Sequence, residues 1–325
     1  MPVLDRDSLT RPAAVLTMLA IATFASVTVF MTIESRGQWD FVLSFRGRKL
    51  AALALVGYAI AVSTVLFQTV THNRILTPAI MGFDFLYILI QTLLVFFLGA
   101  GGFGTLSPDL KFAGEVTVLV VFAALLFQWL FTGAVRSVHL LLLVGIIFGV
   151  LFRSLSSFFQ RLINPNDFTA LQDLLFASFN TVDQDLLVIS AVAIGAVSLA
   201  GWRLRRSFDI LALGRETSIN LGVDYKRTVT VVLILVTILV AVSTALVGPV
   251  TFFGLLVANL AYLVIRSHRH AFILPASVLI AIISLVVGQT LLERVFNFNT
   301  GLSIIVEFLG GITFIVLLVR GATSR

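Results

Sequence analysis

The 325 residues are 59% hydrophobic and 12% charged, with 22 Lys and Arg against 16 Asp and Glu, a net charge of +6. A soluble globular chain carries about 25% charged residues, so half that share, spread between apolar runs near 20 residues long, excludes a soluble domain and reads as an all-α integral membrane protein. Cysteine is absent, which excludes disulfides and thiolate metal sites on this chain, and the basic residues are dispersed rather than gathered into a nucleic-acid-binding face.

In chain order, the N-terminus is basic and then apolar. The run 12–33 is longer than a signal-peptide core and has no small-x-small cleavage site before Glu34, so it is expected to stay as a first span. Further spans are expected at 49–67, 79–98, 114–132, 138–157, 185–202, 228–247, 253–265, 272–291 and 302–319. The runs do not alternate apolar and polar as barrel strands do. The eighth is too short to cross a ~30 Å core upright, and is expected to be partly re-entrant or to begin around Gly248 and Pro249. No soluble domain, low-complexity segment or internal repeat breaks the chain, so residues 1–325 form one polytopic domain.

Ten spans place both termini on one side. With that side cytoplasmic, fourteen basic residues fall inside, including Arg136, Arg203, Arg205, Arg206, Lys226, Arg227, Arg266 and Arg325, and eight outside, including Arg36. Such a bias toward the cytoplasm favours this orientation.

Several loops and intramembrane positions stand out. Gly99, Gly101 and Gly104 fit a G-x-G-x-x-G pattern but follow a span rather than a strand, and read as a flexible glycine loop. After Asn164-Pro165-Asn166-Asp167, the amphipathic run 168–179 reads as a helix at the outer interface. Gly145 and Gly149 make a G-x-x-x-G in the fifth span, suited to close helix packing or to lining a path. Glu307 interrupts the last span, where a charge costs about 2.5–3.5 kcal/mol on insertion scales; it faces protein or a wet cavity, and Gly310 and Gly311 let a backbone approach or the helix bend. Arg46, Arg48 and Lys49 before the second span, with Arg294 after the ninth, are solvated charges or a landing site for an acidic outer partner. His72, His139, His268 and His270 fall at cytoplasmic ends and read as interfacial loop residues. No G-x-x-x-x-G-K-[ST] occurs, so any ATP-driven role needs a partner chain.

The longest polar interruption is 202–227. It holds the densest basic cluster and reads as two short helices, 208–213 and 216–221, each followed by a glycine, Gly214 and Gly222. Such helices either lie on anionic lipid or dock a partner.

Several stretches in order resemble the permease subunits of bacterial iron-siderophore and cobalamin ABC importers. Phe45-Arg46-Gly47-Arg48-Lys49-Leu50 is similar to that family's R-x-P-R segment. The stretch from Phe67-Gln68-Thr69 through Asn73-Arg74 to Pro78 and Gly82 is similar to its Q…N-P-L-A-x-P…L-G loop. Leu213-Gly214-Arg215-Glu216…Leu221-Gly222 resembles its L-G-x-x-x-A-x-x-L-G coupling loop, and Gly248-Pro249-Val250-Thr251-Phe252-Phe253-Gly254 its G-x-I-x-F-V-G segment. The resemblance covers about residues 41–320 and lies nearest the catecholate-siderophore branch. Departures are Gly47 for proline, Arg74 for proline, Ala258-Asn259 for Pro-His, Tyr262 for arginine, and Gly310-Gly311-Ile312 for Gly-Ala-Pro.

The resemblance implies a type II ABC importer permease of ten helices in the bacterial cytoplasmic membrane, with no enzymatic activity and no cofactor of its own. ATP and Mg are bound by a partner ATPase. It implies a second, paralogous permease chain, an extracytoplasmic siderophore-binding protein, an iron(III)-siderophore substrate, and surrounding membrane lipid. Residues 203–227 become the cytoplasmic coupling loop, with Leu213, Gly214, Arg215, Glu216, Leu221 and Gly222 meeting the ATPase. Arg46, Arg48 and Arg294 meet the binding protein, and Gly145, Gly149, Glu307 and Gly310 border the path. The alternative is a stand-alone secondary transporter or channel, which would show inverted repeats, broken helices and paired intramembrane charges.

Overall fold

Backbone that crosses a bilayer must satisfy its own hydrogen bonds, and the apolar runs of this chain do so as helices. The computed structural model describes residues 6–33, 39–132, 138–265, 267–298 and 300–323; Glu34, Arg36, Arg136, Arg266 and Arg325 lie outside the described residues. The order is α1 (Arg6–Thr32), α2 (Trp39–Phe41) running into a π turn (Val42–Arg46), α3 (Gly47–Thr71), a 3-10 turn (Pro78–Met81), α4 (Phe83–Thr105), α5 (Pro108–Thr132), α6 (Val138–Gln160) and α7 (Pro165–Leu174). It continues with α8 (Gln184–Arg203), α9 (Arg205–Leu211), α10 (Arg215–Asn220), α11 (Tyr225–Val247), α12 (Phe253–Ile265), α13 (His270–Arg294) and α14 (Leu302–Thr323).

Among the described residues, eight segments are long and apolar enough to cross a membrane: those of α1, α3, α4, α5, α6, α8, α11 and α13. The shorter α12 has 13 residues, a rise of about 20 Å. Helix α3 packs on α11 and α13 at the centre. Around them, α1 and α12 lean on α13, α5 and α8 flank α11, and α4 pairs with α6. Helices α3 and α11 are mostly buried, whereas α1 and α8 turn Met18, Ile21, Phe24, Val188 and Val192 outward. Apolar outer faces of this kind suit lipid or another membrane chain.

Two loop expectations change. The glycine run is not a loop: within α4 two helical segments meet at a kink at Gly99 (φ 68, ψ 167), and the second reaches Thr105. The kink is tied down from outside, because Asp167 Oδ1 accepts from the Ala100 N–H at 3.1 Å. The amphipathic helix spans Pro165–Leu174, earlier than expected, because Asn164 accepts from the Asn166 N–H and Pro165 sits at the first helical position.

The eighth helix does not begin around Gly248 and Pro249 but at Phe253. Helix α11 stops at Val247, and Gly248 (φ 96) turns the chain through five non-helical residues before α12. Gly248, Pro249 and Val250 are buried. A side chain at 248 would lie 3.3 Å from the backbone of Phe176 and Ala177, whose neighbour Ser178 donates its N–H to Val247 O at 2.8 Å. Irregular backbone survives at this depth because protein sheathes it.

Candidate functional site

The polar stretch 202–227 forms two helices, as expected, with shifted bounds. Gly214 (φ 98, ψ 166) adopts a conformation that glycine tolerates and leads into α10 rather than ending α9. Gly222 (φ 81) closes α10. The Ser218 hydroxyl lies 2.9 Å from Ile210 O and 2.7 Å from Gly214 O, joining α10 to α9. The two helices then divide their work. Phe208 and Leu211 of α9 are buried, and α9 packs on α3, α8 and α13. Leu213, Ile219 and Leu221 are each more than half exposed, beside exposed Arg215 and Glu216. An apolar, charged knob thus projects from a buried root, as a docking element requires.

The root grips His270. Asp209 Oδ1 accepts from the His270 backbone N–H at 2.8 Å and from its ring Nδ1 at 2.7 Å. Nε2 meets Thr69 Oγ1 at 2.7 Å, and the Phe208 ring lies 6.0 Å from the imidazole. His270 is 4% exposed. It is therefore no ordinary loop histidine. The sequence hides this because its partners lie 61 and 201 positions away.

Beside the clamp opens a cavity of about 400 Å³, lined by Gln68, His72, Arg74, Leu213, Tyr262 and His268 among others. The Arg74 guanidinium stacks 4.4 Å above the Tyr262 ring, and Gln68 and Asn259 both donate to Arg74 O, at 2.7 and 3.1 Å. Three departures from the family pattern, Arg74, Asn259 and Tyr262, therefore meet in space. A tyrosine stands where arginine is usual, and a guanidinium from elsewhere in the chain lies on it.

Midway through the bundle, the starts of α4 and α12 converge. Asp84, in the first turn of α4, is buried and hydrogen-bonds Thr251. Glu307 of α14 accepts from the backbone N–H groups of Thr251 and Phe252. It thereby caps the N-terminal end of α12, where unsatisfied N–H groups and the helix dipole favour an anion. Glu307 also borders a cavity of about 310 Å³ with Phe252, Leu255, Gly311 and Ile315. Gly145 and Gly149 seat α6 on the 3-10 turn: a Cβ at 145 would stand 2.9 Å from Met81 Cα, and one at 149 would stand 3.4 Å from Gly82 Cα. Gly310 lies within α14.

The basic patch around the start of α3 divides. Arg46 Nη1 donates to Phe30 O, Met31 O and Ile33 O at 3.0, 3.2 and 2.7 Å. Arg294 reaches Ile33 O at 3.4 Å. Both hold the carbonyl end of α1. Lys49 is not a surface charge: it is 4% exposed and pairs with Glu293 at 2.6 Å. Glu293 also accepts from Gln289, which donates to Asn180. Arg48 is exposed and lines a cavity of about 550 Å³ with Phe45, Asn180, Asp183 and Asp185.

A sequence profile of the FecCD transport family matches residues 12–320. The petrobactin import system permease YclO of Bacillus subtilis is 48% identical over 284 residues, 87% of this chain and 90% of that protein. The petrobactin permease FatC of Bacillus anthracis is 36% identical, over 86% of this chain and 80% of its own length. A solved metal-chelate type ABC transporter in an inward-facing conformation superposes with a TM-score of 0.83 at 21% identity, covering 95% of this chain and 99% of that one. At that identity the last likeness concerns the fold.

Proposed function

The chain belongs to the FecCD transport family, and from that premise we propose that it carries iron(III)-siderophore complexes of the petrobactin type across the cytoplasmic membrane. It is an ABC importer permease, not an enzyme, and a multi-pass membrane protein. Family membership removes the stand-alone transporter alternative. The observation that carries the substrate reading is the 48% identity to a petrobactin permease along nearly the whole chain; the catecholate-branch wording of residues 67–84 points the same way.

In this reading ten helices cross the bilayer with both termini cytoplasmic. Helices occupy all ten positions read from the sequence, and the basic residues favour the cytoplasmic side. A second permease chain completes the path. The exposed knob of α10 with Leu213 and Leu221 seats in an ATPase, which binds ATP and Mg. The binding protein lands on the outer face at Arg48, beside Arg46 and Arg294. The path runs past α6 and α14, bordered by Gly145, Gly149, Glu307 and Gly310.

The test is uptake of radiolabelled iron-petrobactin by cells stripped of their own siderophore permeases and given this chain together with a partner permease, an ATPase and a binding protein of the same family. Saturable uptake that ferric petrobactin competes and cobalamin does not is the expected result. Cobalamin uptake without any petrobactin-iron uptake sinks the substrate assignment.

A further inference from the structure

We propose that His270 is a positioning residue for transport: held between Asp209 and Thr69, it carries displacement of the ATPase-docking helices into α13 and α3. The proposal rests on the docking reading of α10 given above.

The route begins at the exposed knob. Ser218 ties α10 to α9, so a push on α10 reaches α9. At the buried face of α9, Phe208 and Asp209 both contact one residue, the first of α13. The Asp209 carboxylate attaches to that residue twice, through the backbone N–H and through the ring. The backbone bond satisfies a donor that a helix N-terminus leaves without an intrahelical partner. The ring bond, to a group that only accepts, fixes Nδ1 as a proton-bearing nitrogen. A single contact would let α13 swivel about it; two bonds from one oxygen to one residue oppose that.

The far side of the imidazole is also held. Nε2 meets Thr69 Oγ1, on the last turn of α3. Thr69 is itself 2.8 Å from Val65 O in the same helix and is buried. The imidazole therefore bridges a cytoplasmic helix and two central membrane helices. Displacing α9 alone would leave the buried His270 ring and N–H without the acceptor they share, although Asp209, 45% exposed, could turn to water. Helices α12 and α14 pack on α13, so the motion extends to the broken segment where Glu307 caps α12.

The experiment uses the complete importer, purified with both permeases and ATPases and reconstituted in liposomes with its binding protein. Three quantities are read: ATPase recovered with the permease, ATP hydrolysed, and iron-siderophore imported per ATP. Asp209→Ala and His270→Ala are expected to retain ATPase recovery and hydrolysis while import per ATP falls at least about tenfold. Asp209→Asn keeps an oxygen acceptor and is expected to restore most of the ratio. Thr69→Val, a change of similar volume, gives a partial loss and keeps the test open if His270→Ala does not fold. An unchanged import ratio in Asp209→Ala and Thr69→Val overturns the proposal. Loss of ATPase recovery in Asp209→Ala overturns it too, because the clamp would then serve docking rather than transmission. Leu221→Asp is the separate control: full ATPase recovery there sinks the docking reading, whereas lost recovery with normal clamp ratios sinks the clamp alone.

Discussion

Lys49 Nζ and Glu293 Oε1 stand 2.6 Å apart where the start of α3 meets the end of α13, with the lysine almost wholly buried. A buried charge with its partner removed costs about 3–5 kcal/mol. Lys49→Ala is therefore expected to lower the unfolding stability of the detergent-solubilised protein by about that much. Glu293→Gln, which keeps an oxygen for Gln289 and Lys49, should lose less. Equal stability of Lys49→Ala and the wild type, measured by thermal denaturation, counts against the pair as an anchor.

Gly145 is read as a packing residue. A methyl group there meets the Met81 backbone at 2.9 Å, closer than atoms tolerate, so Gly145→Ala should destabilise by about 1–3 kcal/mol. Gly149→Ala places its methyl at 3.4 Å, ordinary contact, and should be milder. Reversal of that order in a thermal shift assay would show that α6 does not rest on this turn.

Glu307 supplies acceptors to two backbone N–H groups. Glu307→Leu leaves both without that acceptor; with Phe252 exposed and Thr251 half-buried, the loss should be about 1–3 kcal/mol in all. Glu307→Gln retains an oxygen and should keep most of the stability. If Gln is as damaging as Leu, the carboxylate charge matters more than its acceptors.

Arg48 and Arg46 should fail differently. Arg48→Glu is expected to weaken capture of the binding protein about tenfold at low ionic strength, with the difference shrinking as salt rises, and to leave stability intact. Arg46→Glu removes three bonds to the end of α1 and should lower stability at any salt concentration. A salt-independent Arg48→Glu defect points away from electrostatic docking.

The helical layout was legible because apolar length is a one-dimensional signal. Helices occupy all ten expected positions, and eight of the described segments are long and apolar enough to cross a membrane. Gly222 was legible as a helix end because positive φ leaves a residue-type mark at one position, whereas Gly214, also at positive φ, starts α10 rather than ending α9. What the chain hides is pairing at long range. Lys49 looked like a third surface cation, because nothing near residue 49 reveals a carboxylate 244 positions later. His270 looked interfacial for the same reason. Glu307 announced that it needed a partner, but backbone N–H groups have no sequence signature, so the capped turn at Thr251 and Phe252 was invisible. The glycine run 99–104 misled in the other direction: its composition reads as loop, yet a second helical segment starts past the kink at Gly99, beside the contact from Asp167.

Helix α13 is gripped at both ends. His270 fixes its first residue to α9 and α3, and Glu293 and Arg294 fix its last turn to α3 and the end of α1. Its 25 residues form a rod of about 37 Å. A body attached at two faces makes those faces thermodynamically reciprocal: whatever factor an event inside changes affinity outside, the outer event returns to the inside. Occupancy of the Arg48 cavity and seating of the α10 knob should therefore shift one another's binding constants equally, even with no nucleotide turnover.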